Sequence, residues 1–144
     1  MARIEIQLPE KFIFQTDIPV RVSDLNYGNH VGNDSILTLM QEARALLYRS
    51  VGFESEVEID GAIGQIISDA AIVYKSESFL GDTLQIEIAV GDLNKYGFDL
   101  FYRLTNKLTG KEVARGKTGI VCFDYSKRKI ALIPESLVEK LKSF

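Results

Sequence analysis

From Asp34 to Val51 the apolar residues recur with a helical period. On a wheel of 100° per residue, Ile36, Leu37, Leu39, Met40, Ala43, Leu46, Leu47 and Val51 fill about half the circumference. That arc is wide for a helix resting on a surface and suits one wrapped by a sheet. Asn33 or Asp34 is the expected N-cap and Gly52 the expected stop. Within the helix, Glu42 falls just outside the apolar arc and Arg44 inside it. Two residues apart, they cannot pair, so Arg44 must snorkel or find a buried carboxylate or carbonyls. Before the helix, Phe12 to Val22 alternates in part and predicts a strand interrupted near Pro19. Residues 1–10 are mixed, contain Pro9, and predict either a short first strand or an arm.

After the helix, residues 53–62 are acidic and read as loop. Four strand-like runs follow: Ile63–Tyr74, Thr83–Leu93, Phe98–Lys107 and Glu112–Tyr125. Turn signals at Gly81-Asp82, Gly97 and Gly110 separate them. Ser126-Lys-Arg-Lys129 is a basic turn, and Pro134 opens a short amphipathic helix with Leu137, Val138 and Leu141 on one side. Strands in succession favour an antiparallel sheet, and one apolar helix can cover its concave face. The expectation is an α+β fold in which an antiparallel β-sheet wraps one long central α-helix.

Composition narrows the classes. At 144 residues the chain suits a single domain with a real core. A net charge of -3 argues against nucleic acid as a partner. One cysteine, Cys122, excludes an internal disulfide; with a single histidine beside it, a metal site within one chain is not expected. No apolar run reaches the roughly 20 residues of a membrane span, and the start of the chain lacks a signal-peptide core. A cytoplasmic location, with no membrane association, is expected.

Candidate chemistry concentrates in Arg21–Asp34, which holds the only histidine, three asparagines and two aspartates and ends at a helix N-terminus. Such a terminus offers unpaired N–H groups and a positive dipole end, so it can stabilise an oxyanion. Gly28 and Gly32 would let a substrate approach the backbone closely.

The ordered set Asp24-Leu-Asn26, His30-Val-Gly-Asn33 and Glu42-Ala-Arg44 resembles the loop and helix motif of the hot-dog fold thioesterases, 4-hydroxybenzoyl-CoA thioesterase-like group. Ile72-Val-Tyr74, Gly81-Asp82, Val113-Ala-Arg-Gly116 and Ile133-Pro134 extend the match over nearly the whole chain. The resemblance implies a hot-dog domain over 1–144 that acts as an acyl-CoA thioesterase. Its substrate would be an acyl-CoA or acyl-carrier thioester, with CoA entering only as part of the substrate and no other cofactor. It also implies a homo-oligomer, dimer or tetramer, with sheets continuing side by side and thioesters entering at the interface. By position, the N–H near Asn33 would polarise the carbonyl, with Asn26 and His30 positioning water. Asp24, Tyr27, Gly28, Gly32 and Asp34 would contact the substrate.

One departure matters. The second acid of the family motif D-x-D is Asn26 here. An amide is neither nucleophile nor general base near neutral pH, although it can hold a water. Three assignments stand open. Asn26 orients while His30 serves as base, histidine being suited to that work; or Asp24, Asp34 or Glu42 has taken over; or the site binds thioesters without hydrolysing them. A non-catalytic binding module and hydration of an enoyl thioester are the alternatives from other classes. On the bland side, Asp24 reads as a loop brace, Glu42 as a solvated or interface group, and Tyr74 and Tyr102 as sheet-packing aromatics. Lys127–Lys129 reads as a solvated turn or a contact for CoA phosphates.

Overall fold

A computed structural model describes residues 3–143. Strand β1 (Phe14–Pro19) leads through a 3-10 turn at Val22–Asp24 into helix α1 (Asn33–Ser50). Strands β2 (Ile63–Tyr74), β3 (Thr83–Gly91), β4 (Gly97–Asn106) and β5 (Glu112–Asp124) follow. A two-residue strand β6 (Lys129–Ile130) and helix α2 (Glu135–Lys142) complete the order. The strands form one antiparallel sheet in the order β1-β3-β4-β5-β2, with β6 on β5. This is the hot-dog arrangement expected from the sequence.

Period-two alternation decides the inner face. Leu84, Ile86 and Ile88 of β3 and Phe98, Leu100, Tyr102 and Leu104 of β4 are buried against Leu39, Met40, Ala43 and Leu47 of α1. Gly116 of β5 leaves room for the Met40 side chain of the helix: a Cβ there would lie 2.3 Å from Met40 Cε. The helix stops at Ser50, and Gly52, just past the C-cap Val51, takes φ +100°.

One local expectation needs correction, and one left open is decided. The N-cap of α1 is Gly32, with no side-chain cap, and Asn33 is already the first helical residue. The reason is that Gly32 is held by the loop, its N–H donating to the Asp24 carbonyl at 2.9 Å. Residues 3–10 are neither strand nor helix, while residues 1 and 2 lie outside the described part. The segment behaves as an arm: the Ile6 carbonyl accepts from Arg115 Nη1 at 3.1 Å.

Arg44 finds its carboxylate. Buried on α1, it donates from Nε to Glu56 at 2.9 Å and from Nη1 to the Tyr102 hydroxyl at 3.2 Å. Tyr102 in turn shares a 2.7 Å hydrogen bond with Thr118. Burial alone would disfavour the Arg44 charge, but Tyr102 and Glu56 outweigh it and its pKa is raised. Glu42 points elsewhere, 3.5 Å from Arg21.

Candidate active site at the N-terminus of the central helix

The loop 24–32 is held by backbone bonds and one half-buried ion pair. Asp24 is buried and accepts from the Arg21 N–H at 2.8 Å and from its guanidinium at 3.1 Å. Burial pushes the Asp24 carboxyl up, but the hydrogen bonds and charge of Arg21 prevail and its pKa is lowered. Asn26 N–H donates to the His30 carbonyl at 2.9 Å, and Asn29 N–H to the Asn26 carbonyl at 3.1 Å. Asn29 takes φ 62°, a left-handed conformation that asparagine tolerates.

These bonds turn two polar side chains toward each other over Gly28. The Asn26 side-chain oxygen accepts from Gly28 N–H at 2.8 Å. A Cβ on Gly28 would lie 3.1 Å from His30 Nε2 and 3.3 Å from Asn26 Oδ1, so both atoms crowd the bare Cα. His30 Nδ1 is 3.2 Å from the Val31 carbonyl. Assigning the proton to Nδ1 on that contact leaves Nε2 as an acceptor. Asn26 has then committed its oxygen and keeps its NH₂ group to donate.

The loop forms one wall of an open cleft of about 470 Å³. Asn26, His30, Asn33 and Ile36 stand on this side; residues 74–78, from the end of β2 and the connection to β3, face them. Two hydrogen bonds fix the walls together. Val31 N–H donates to the Ser78 carbonyl at 2.9 Å, and the Tyr74 hydroxyl donates to the Asn33 carbonyl at 2.9 Å. Asn33 and Asp34 open α1, so their N–H groups precede its first helical hydrogen bond, and of the two Asn33 lines the cleft.

Of the residues singled out in the sequence, the structure brings Asn26, His30 and Asn33 together as cleft lining. Asp24, Tyr27, Gly28, Gly32 and Asp34 do not line it. Asp24 braces the loop from behind. Tyr27 is fully exposed at the loop tip. Gly28 and Gly32 form the floor of the turn, and the Asp34 carboxylate lies over Gly32, 2.6 Å from where a Cβ would be. Lys127–Lys129 is not among the cleft-lining residues, and the Arg128 guanidinium stands 5.4 Å from the centre of the Phe123 ring.

Residues 20–141 match the family model described as the thioesterase-like superfamily. The chain belongs to that superfamily. Solved structures agree on the fold. A 1,4-dihydroxy-2-naphthoyl-CoA thioesterase from Synechocystis superposes with a TM-score of 0.83 at 20% identity, over 91% of this chain and 96% of that one. A hypothetical protein from Staphylococcus aureus, solved in complex with CoA, gives 0.83 at 16% identity, over 96% and 87%. A gentisyl-coenzyme A thioesterase gives 0.78 at 21% identity, over 90% and 99%. No curated protein sequence matches significantly.

In this thioesterase-like chain three cleft residues escaped sequence reasoning. Tyr74 is half-exposed and tethers the helix start rather than packing in the sheet. Ser78 is buried on the cleft wall, and its hydroxyl has no hydrogen-bond partner among the described residues. Glu77 is the carboxylate among the lining residues. The available signal was that strand β2 ends in a polar run, Lys75-Ser-Glu-Ser78, just where the motif's helix begins in space.

Proposed function

We propose that the protein is an acyl-CoA thioesterase, hydrolysing a thioester to a carboxylic acid and a free thiol in the cleft at the start of α1. The observation that carries this reading is the open N-terminus of α1 at Asn33, beside Asn26 and His30, in a chain of the thioesterase-like superfamily. The thioester carbonyl accepts from the N–H near Asn33, where the helix dipole favours the negative charge that develops on oxygen. The Asn26 NH₂ group donates to the attacking water, and His30 Nε2 accepts a hydrogen bond from that water, which aims an oxygen lone pair at the carbonyl carbon. The apolar side chains of Val31, Ile36 and Val113 favour the acyl chain and exclude bulk water.

The reading extends to assembly. β2 is an edge strand, bonded to β5 on one side, and it exposes Ile66 and Ile67. An unpartnered apolar edge is a ready template for a second copy. Two chains paired there would continue the sheet and bring a partner toward the cleft, whose wall begins at Tyr74 of the same strand.

A second reading has its own observation. Asn26 stands where the family motif has an acid, and its oxygen is already engaged by Gly28, which suits a site that binds thioesters without cleaving them. Thiol release from a panel of acyl- and aroyl-CoA substrates, run beside calorimetric binding of the same compounds, separates the two. Turnover with saturation supports the thioesterase; binding without turnover supports the binding module; neither sinks both.

A further inference from the structure

We propose that Glu77 is the general base of this site, the carboxylate that takes over the work its loop cannot do at Asn26. The inference rests on the thioesterase reading above and deepens it. Hydrolysis needs a group to take a proton from water, and none of the three acids near the loop lines the cleft. Asp24 is buried under two kinds of hydrogen bond from Arg21. Glu42 faces Arg21 and lines a different groove, beside Tyr48 and Glu56. Asp34 lies over Gly32 and is not among the cleft-lining residues.

Glu77 differs on each count. It lines the cleft, on the wall opposite Asn26 and His30. Its side chain is exposed and makes no ion pair among the described residues. The neighbouring cation does not claim it: Lys75 is 4.0 Å from Glu112. Its backbone is nevertheless held on both sides. The Ser76 hydroxyl donates to the Glu112 carbonyl at 2.7 Å, and the Ser78 carbonyl accepts from Val31 N–H at 2.9 Å. An unpaired carboxylate on a held stretch of chain, lining the same cleft as a water-orienting amide, is what the proposal needs of a general base.

The step balances as follows. The water oxygen bonds to the carbonyl carbon while one of its protons passes to the Glu77 carboxylate. The C–S bond then breaks with its electron pair leaving on sulfur, and Glu77 returns the proton to the thiolate. His30 is a positioning residue in this scheme, orienting the water through Nε2.

The test is steady-state kinetics on the acyl- and aroyl-CoA panel with wild type, Glu77→Gln, Glu77→Asp and Glu77→Ala, the last with and without added formate. Glu77→Gln is expected to lose about 100-fold or more in kcat, the usual contribution of a general base, with KM held within about three-fold and the melting temperature unchanged. Glu77→Asp should recover part of the loss. Formate should raise the rate of Glu77→Ala but not of wild type, which a structural role would not produce. Turnover that survives Glu77→Gln within about three-fold overturns this assignment alone. A wild-type protein that cleaves none of the thioesters overturns the parent reading, and this assignment with it.

Discussion

Asn26 and His30 meet over Gly28 because the loop 26–30 closes on itself, and each has one committed and one free polar end. Replacing either by alanine should lower kcat about 100-fold, as for loss of one polar group acting in the transition state, while the melting temperature holds. Equal rates for wild type and both variants would remove them from the mechanism. Asp24 makes a different prediction. Its depressed pKa means that it stabilises the fold above the pKa of an unfolded aspartate, near 3.8, and that this contribution is lost as pH falls through the lower folded value. Asp24→Asn should therefore cost about 1–3 kcal/mol at pH 7. In urea titrations the gap from wild type should narrow as the solution is acidified below pH 4; a gap independent of pH would refute the Arg21–Asp24 account. Cys122 is buried, which pushes its thiol up to about 11. It should resist a thiol reagent at pH 8 in the folded protein and react on unfolding. At this scale the sequence was informative about identity and poor about partners: Asp24 was legible as a brace, whereas the free end of Asn26 depends on a turn only three-dimensional closure defines.

Helix α1 and the strands were legible because their periods are long and clean. The helix differs from its expected span by one residue at each end and the four strands after it by two residues at most, while β1 is shorter than the expected Phe12–Val22 by two residues at its start and three at its end. What escaped was the cap. Gly32 replaces the polar N-caps that propensity favours because the Asp24 carbonyl, not a side chain, fixes the entry into the helix. The partner of Arg44 also escaped, because Glu56 lies in an acidic loop whose path is set by tertiary contacts. Gln65 N–H of β2 donates to the Glu56 carbonyl at 2.9 Å, which pins that loop to the sheet. Glu56→Ala should cost about 3 kcal/mol, since it strips a buried guanidinium of its carboxylate. Chemical denaturation measures it, and a change below about 0.5 kcal/mol would show that Tyr102 alone satisfies Arg44.

For the whole molecule, the site is a junction between chain segments far apart in sequence. Tyr74 and Asn33 are 41 residues apart yet hydrogen-bonded, so no local pattern could have placed Glu77 and Ser78 opposite His30. The sequence carried the fold and half of the cleft through its loop and helix motif; the other wall follows from the crossing of β2 past the helix start. The open edge of β2 belongs to this scale too. If two copies pair there, Ile67→Lys should yield monomers by light scattering, with folding intact because Ile67 is 40% exposed. An unchanged mass would place any assembly elsewhere.

The central claim is that the N–H at the start of α1 is the electrophilic half of a hydrolytic site. Asn33→Pro addresses it directly. Proline is at home in the first position of a helix and lacks the N–H. Gly32, at φ -68° and ψ 152°, already has the extended backbone that proline requires of its predecessor. With Asn33→Ala as the control for the side chain, initial rates of CoA release should fall about 100-fold or more in kcat for Asn33→Pro at an unchanged melting temperature. A proline variant that releases CoA as fast as the alanine control would contradict the account.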